Sequence, residues 1–172
     1  DFDDDTFRKD VDYVHCTSNN TIFGTRMRKF PSVETLVCDM SSNILSEVID
    51  VSKFGVIYAG AQKNISCAGV TVVIVRRDLL NKAMPICPTM LKWETQAKEN
   101  SLYNTPPCFS IYIAGLTLKW LKKLGGVPAI QKINEEKAKM LYDYIDNSGF
   151  YTNPVRPEDR SIMNVPFVSP SK

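Results

Sequence analysis

The run Val70-Thr71-Val72-Val73-Ile74-Val75 constrains the fold more than any other stretch of this chain. β-Branched side chains are stiff about χ1 and suit a pleated surface better than a helix. The run has no polar–apolar alternation, so it predicts a strand covered on both faces, as in the sheet of an α/β domain. Apolar runs at 11–16, 35–39 and 55–59 are read as three further short strands.

Helical patterns dominate the second half. Pro106-Pro107 opens a segment with apolar residues at Phe109, Tyr112, Ile113, Leu116 and Trp120, the spacing of one helical face, and Gly125-Gly126 ends it. Pro128 opens a second helix carrying Ile130, Ile133, Leu141, Tyr144 and Ile145, which ends near Asn147-Ser148-Gly149. Both stripes predict core packing. Phe150-Tyr151 and residues 163–168 read as strands of a smaller domain. The glycine pair is the natural boundary, giving a larger α/β part over 1–126 and an incomplete α+β part over 127–172.

Composition narrows the function classes. The chain is 44% hydrophobic and 23% charged, which suits a globular segment. A net charge of +2 with dispersed basic residues makes no case for nucleic acid, and Lys119, Lys122 and Lys123 read as the wet side of a helix. No apolar run reaches membrane-spanning length. Five cysteines without a C-x-x-C pair suit a reducing compartment, so a cytoplasmic location is expected. The single histidine, His15, removes most zinc constellations and the usual Ser-His and Cys-His dyads; it reads as a packing residue. Asn19-Asn20-Thr21 and Asn64-Ile65-Ser66 match the glycosylation acceptor pattern and are read as chance matches.

One constellation carries chemistry. In Tyr58-Ala59-Gly60-Ala61-Gln62-Lys63-Asn64 a lysine follows a short strand among small neighbours that let a planar partner approach the backbone. Desolvating an amine favours its neutral, nucleophilic form, so Lys63 is a candidate Schiff-base amine. Upstream, Leu36-Val37-Cys38-Asp39 ends a strand on a carboxylate. A lysine for an aldehyde carbon and an aspartate for a ring nitrogen are what pyridoxal phosphate asks of a protein. Taken singly, Lys63 also reads as a solvated lysine and Asp39 as a turn former.

Three segments in one order add a resemblance. Residues 50–64, Ser101-Leu102-Tyr103-Asn104-Thr105-Pro106-Pro107-Cys108-Phe109, and Arg160-Ser161-Ile162-Met163-Asn164-Val165-Pro166-Phe167 resemble the phosphoserine aminotransferase family, collinearly from about Val11 to Phe167. The resemblance implies a fold-type I pyridoxal-phosphate-dependent transferase: a mixed, mostly parallel sheet with helices, plus part of a small α+β domain. It implies Lys63 as the catalytic and cofactor-anchoring lysine and Asp39 under the pyridine nitrogen. Gln62 is implied on the cofactor phosphate and Thr21 near the ring oxygen. Asn104 and Thr105 are implied to reach the other subunit's cofactor phosphate across a homodimer, and polar donors before a Pro-Pro helix start suit an anion. The implied reaction moves an amino group between glutamate and 3-phosphohydroxypyruvate, giving 2-oxoglutarate and O-phosphoserine for serine biosynthesis.

The sequence departs from the family in places. Ser66-Cys67 stand where the family usually has glycine followed by proline or serine, Asn20 where it has glutamate, and Phe23 where it is often polar. Arg76, Arg77, Arg156 and Arg160 match no substrate motif and receive no role. Family chains are about twice as long, so the chain is read as a central to carboxy-terminal fragment, inactive alone. The alternatives are a truncated, non-catalytic product that associates with full-length subunits, or another fold-type I pyridoxal phosphate enzyme.

Overall fold

The computed structural model describes residues 7–170. Six strands occupy the first half: β1 (Val14–Thr17), β2 (Asn19–Asn20), β3 (Thr25–Arg26), β4 (Leu36–Asp39), β5 (Val56–Gly60) and β6 (Thr71–Val75). Four form a sheet in the order β1-β4-β5-β6, with β2 and β3 as a separate hairpin. β1 and β4 pair in parallel, as do β4 and β5, while β6 runs antiparallel to β5. The sheet is therefore mixed and mostly parallel, as expected. Helices follow: α1 (Trp93–Lys98), α2 (Cys108–Leu124) and α3 (Val127–Asn147).

The pleat sorts β4 cleanly. Leu36 and Cys38 are wholly buried with Met40 beyond them, whereas Val37 and Asp39 turn to the other face. Ile57, Ala59 and Ala61 from β5 and its turn join Phe54, Ile44 and Ile65 to complete one core cluster. By contrast, β6 departs from expectation. Val73 and Ile74 are exposed, because β6 is an edge strand with a neighbour on one side only among the described residues. A β-branched run gives a strand its stiffness without deciding its place in the sheet.

Both helices begin and end near their predicted punctuation. Gly125, at φ +110°, closes α2, with its own N–H on Lys122 O and that of Gly126 on Leu121 O. Their buried faces match the predicted ones only in part. Phe109, Tyr112, Leu116 and Trp120 are exposed, and α2 buries Ser110 and Leu121 and packs Ala114 on the core. The small residues let this helix sit close: Ser110 Oγ donates to Ala68 O at 2.8 Å and Ser110 O accepts from Ser66 Oγ at 2.9 Å. In α3 the buried face is Asn134, Ala138, Tyr142 and Ile145; of the predicted stripe, Ile145 is buried and Ile130 half-buried, while Ile133, Leu141 and Tyr144 are exposed. Asn134 Nδ2 donates to Ser46 O at 3.1 Å, tying α3 back to the first half.

Residues 163–168 do not form the predicted strand. One antiparallel bridge joins Thr152 to Val168, and Pro166 has no N–H to extend a ladder. The segment instead docks on the β2–β3 hairpin. Asn20 Oδ1 accepts from the N–H groups of Ile22 and Phe23, and Gly24 turns the chain at φ +64°. A Cβ on Gly24 would lie 2.2 Å from Pro166 Cδ, so only glycine lets the proline close on the turn. Beneath this contact runs a buried polar chain. Asn19 Nδ2 donates to Ser42 Oγ and Asn164 Oδ1 at 2.8 Å each, and Ser161 Oγ donates to Asn19 Oδ1. Ser161 Oγ also accepts from the N–H groups of Met163 and Asn164, and Tyr142 donates to Ser161 O at 2.7 Å.

Ser161 is fully buried. Ser161→Ala leaves Asn19 Oδ1 and two backbone N–H groups short of a partner, a cost of about 1–3 kcal/mol. The expected result is a lower urea midpoint with an unchanged slope; an unshifted midpoint would show that the chain is not held through this network.

Candidate functional site

The parallel strands β4 and β5 end at the same edge, β4 at Asp39 opposite Tyr58 and β5 just beyond at Gly60, and the candidate residues collect there, where open α/β sheets bind ligands. After β5 the chain turns at once. Ala61 N donates to Val70 O, and Ile65 and Ser66 both donate to Ala61 O. Asn64 Nδ2 donates to Ile44 O at 2.6 Å. Lys63 is thus carried on a turn pinned at both ends. The Gln62 side chain folds back over Gly60, where a Cβ would lie 2.7 Å from Gln62 Oε1.

Lys63 Nζ donates to Thr21 Oγ1 at 2.8 Å, across a separation of 42 residues. Thr21 sits on the hairpin turn after β2, held in place by the buried Asn19 network. Asp39 is half-buried, and its Oδ1 accepts from Ser41 N at 2.8 Å and Ser41 Oγ at 2.6 Å. That Ser41 hydroxyl in turn accepts from Gly60 N at 3.0 Å. Two hydrogen bonds therefore connect the carboxylate at the end of β4 to the start of the lysine turn. Both Ser41 donors engage Oδ1, and the Tyr58 phenol stands close to the same carboxylate.

Behind the carboxylate lie two residues that sequence reasoning left out of the site. Tyr58 is in register with Asp39, and its hydroxyl meets His15 Nε2 at 3.0 Å. Burial, and then the neighbouring Asp39 charge, raise the Tyr58 phenol above its ordinary value. His15 is exposed, and its packing is a stack on the Tyr58 ring, centroids 6.0 Å apart, added to that hydrogen bond. The signal was available in the pleat: with the three strands in parallel register, His15, Val37, Asp39 and Tyr58 share one face.

Other expectations fare unevenly. Lys63 is exposed, because Gly60 has no side chain and Ala61 buries its methyl in the core, so neither covers it. Asn104 and Thr105 stand exposed before α2, and Asn104 Nδ2 donates only to Thr105 O, at 3.4 Å. Within one chain, no hydrogen bond brings either to Lys63, Thr21 or Asp39. Ser66, standing where the family has glycine, is not among the described residues with positive φ, so that position asks for no unusual backbone angle. Asn19 is buried, and Asn64 is tied to Ile44 O, so neither is presented as a glycosylation acceptor. Among the described residues no cluster suited to a metal ion is found, and no helix is long and apolar enough to cross a membrane.

An amine beside a hydroxyl, and a carboxylate anchored through one oxygen, can hold an electrophilic aldehyde carbon and a protonated ring nitrogen. The model of the aminotransferase class-V family matches residues 2–171. The phosphoserine aminotransferase of Bacillus cereus is 58% identical over 164 residues, covering 94% of this chain and 46% of the relative. The solved phosphoserine aminotransferase of Bacillus circulans subsp. alkalophilus superposes with a TM-score of 0.93 at 47% identity, covering 96% of this chain and 46% of that one. The pyridoxal-phosphate-bound phosphoserine aminotransferase of Trichomonas vaginalis gives 0.90 at 42% identity, covering 96% and 49%. These likenesses establish the fold-type I architecture. The chain spans about half the length of the curated relatives it matches.

Because the Asp39 charge disfavours the Tyr58 phenolate, removing it should ease ionisation. Asp39→Asn is expected to move the Tyr58 titration to lower pH, followed by NMR of ¹³C-labelled tyrosine. An unmoved titration would separate Tyr58 from the carboxylate.

Proposed function

Because the chain belongs to the aminotransferase class-V family, we propose that it forms the cofactor-lysine part of a pyridoxal-phosphate-dependent phosphoserine aminotransferase. The observation that carries this reading is the 2.8 Å contact of Lys63 Nζ with Thr21 Oγ1, on a turn hydrogen-bonded through Ser41 to Asp39. The donor set fits pyridoxal phosphate. Lys63 would anchor its aldehyde carbon, Asp39 would face its ring nitrogen, Thr21 its ring oxygen, and Gln62 its phosphate. When bound, the cofactor supplies a ring that withdraws electrons from the α-carbon of an amino acid.

The chain's own residues do the rest. Lys63 would take the substrate's α-proton as general base and, as general acid, hand it to the cofactor carbon that it anchors at rest. Asp39 would pair with the protonated ring nitrogen, and Ser41 keeps the carboxylate from turning away. Substrates are glutamate and 3-phosphohydroxypyruvate, and products are 2-oxoglutarate and O-phosphoserine. Asn104 and Thr105, free of these residues within one chain, reach the cofactor phosphate of a second copy, so the working unit is a homodimer with composite sites. Residues 1–126 belong to the large domain and 127–172 begin the small one. Unpaired thiols suit a cytoplasmic enzyme.

In a complete enzyme that contains this part, turnover is expected with 3-phosphohydroxypyruvate as amino acceptor and far less with its unphosphorylated analogue. Lys63→Ala should lower it by about 10²–10⁴-fold, the usual share of a general base. Retained turnover in Lys63→Ala would refute the assignment of the lysine, and equal use of both acceptors would refute the substrate.

A further inference from the structure

Cys16 and Cys38 are the two thiols that the fold brings together. They face each other in register on the parallel strands β1 and β4, and their sulfurs lie 3.5 Å apart in a shared hydrogen bond. Adjacent strands run about 4.8 Å apart, inside the Cα separation of about 4.4–6.8 Å that a disulfide spans. Both side chains emerge on the core face, Cys38 wholly buried beside Leu36 and Met40, Cys16 half-buried against the same cluster. Bonding requires the sulfurs to close to about 2.05 Å, a movement that side-chain rotation can supply. Among the described residues no other two cysteines share a hydrogen bond.

We propose that Cys16 and Cys38 form an oxidisable dithiol, converted by a hydroperoxide into an intramolecular disulfide and restored by a dithiol reductant. This inference stands on the strand register and the sulfur contact, independently of the aminotransferase reading. Cys16 is the more accessible of the two. The hydrogen bond with Cys38 favours its thiolate, while the same bond and burial raise Cys38. The Cys16 thiolate attacks the outer peroxide oxygen; the O–O bond breaks, and the alcohol or water leaves with a proton. The resulting sulfenic acid is attacked by the Cys38 sulfur, forming the S–S bond and breaking S–O. The hydroxide leaves as water with the Cys38 proton. The balance is two thiols and one hydroperoxide to one disulfide, one alcohol (or water) and one water, a two-electron oxidation. The bond would join β1 to β4 directly before Asp39.

The test is treatment of the purified, reduced protein with a small excess of hydrogen peroxide, alkylation, and peptide mapping without reduction. The expected product is a linked peptide pair containing Cys16 and Cys38, lighter by two hydrogens than its parts. Alkylatable thiols should fall from five to three and return with dithiothreitol. Cys16→Ala and Cys38→Ala should each abolish the link, and Cys108→Ala, at an exposed position, should retain it. Five thiols still alkylated, a sulfinic acid at Cys16 with no link, or a link that forms between chains would overturn the proposal.

Discussion

The Ser41 hydroxyl is the contact on which the candidate site depends. It donates to Asp39 Oδ1 at 2.6 Å and accepts from Gly60 N at 3.0 Å. A hydroxyl is the smallest group that does both at once. Through it, the end of β4 fixes a carboxylate and the end of β5 launches the lysine turn from a common point. Without it, Asp39 would hold only a backbone N–H bond from Ser41, and the Gly60 N–H would lose its partner. Parallel pairing of β4 and β5 makes this possible, because it brings two strand ends to the same edge.

The third corner, Thr21, is positioned by different means. Its hairpin is short and has little apolar surface of its own, with Ile22 and Phe23 exposed at the tip. Its place is set by buried polar contacts: Asn19 with Ser42, Asn164 and Ser161, and Ser18 Oγ with Asn43 Oδ1 at 2.6 Å. Arg26 adds a largely buried ion pair with Glu47 at 2.7 Å, though its Nε finds no hydrogen-bond partner among the described residues. Satisfied buried polar groups specify geometry more sharply than apolar packing does. Pro166 closing on Gly24 adds shape to that specification. The carboxy-terminal motif therefore acts at the site from a distance, by holding the hairpin that carries the hydroxyl.

Much of this was legible in the sequence, where local chemistry decides structure. Strand β4 ending on Asp39, the turn around Lys63 and the proline and glycine limits of α2 follow from short-range rules. What required the structure was relational. The stripe of Phe109, Tyr112, Leu116 and Trp120 has helical spacing, yet the helix turns its small side, Ser110 and Ala114, to the core. Periodicity finds a face without saying which neighbour covers it. The β-branched run of β6 likewise marks a strand but not its edge position. The links from Ser41 to Gly60 and from His15 to Tyr58 depend on strand register, which no window of one strand contains.

The central claim is that Lys63, Asp39 and Thr21 are gathered into one pyridoxal phosphate site. The measurement that tests it most directly is addition of pyridoxal phosphate to the protein, reduction with borohydride, and mapping of the modified peptide by mass spectrometry. The account predicts a single stoichiometric adduct on Lys63, lost in Lys63→Ala. Labelling spread over surface lysines, or a stoichiometric adduct on any other residue, would contradict it.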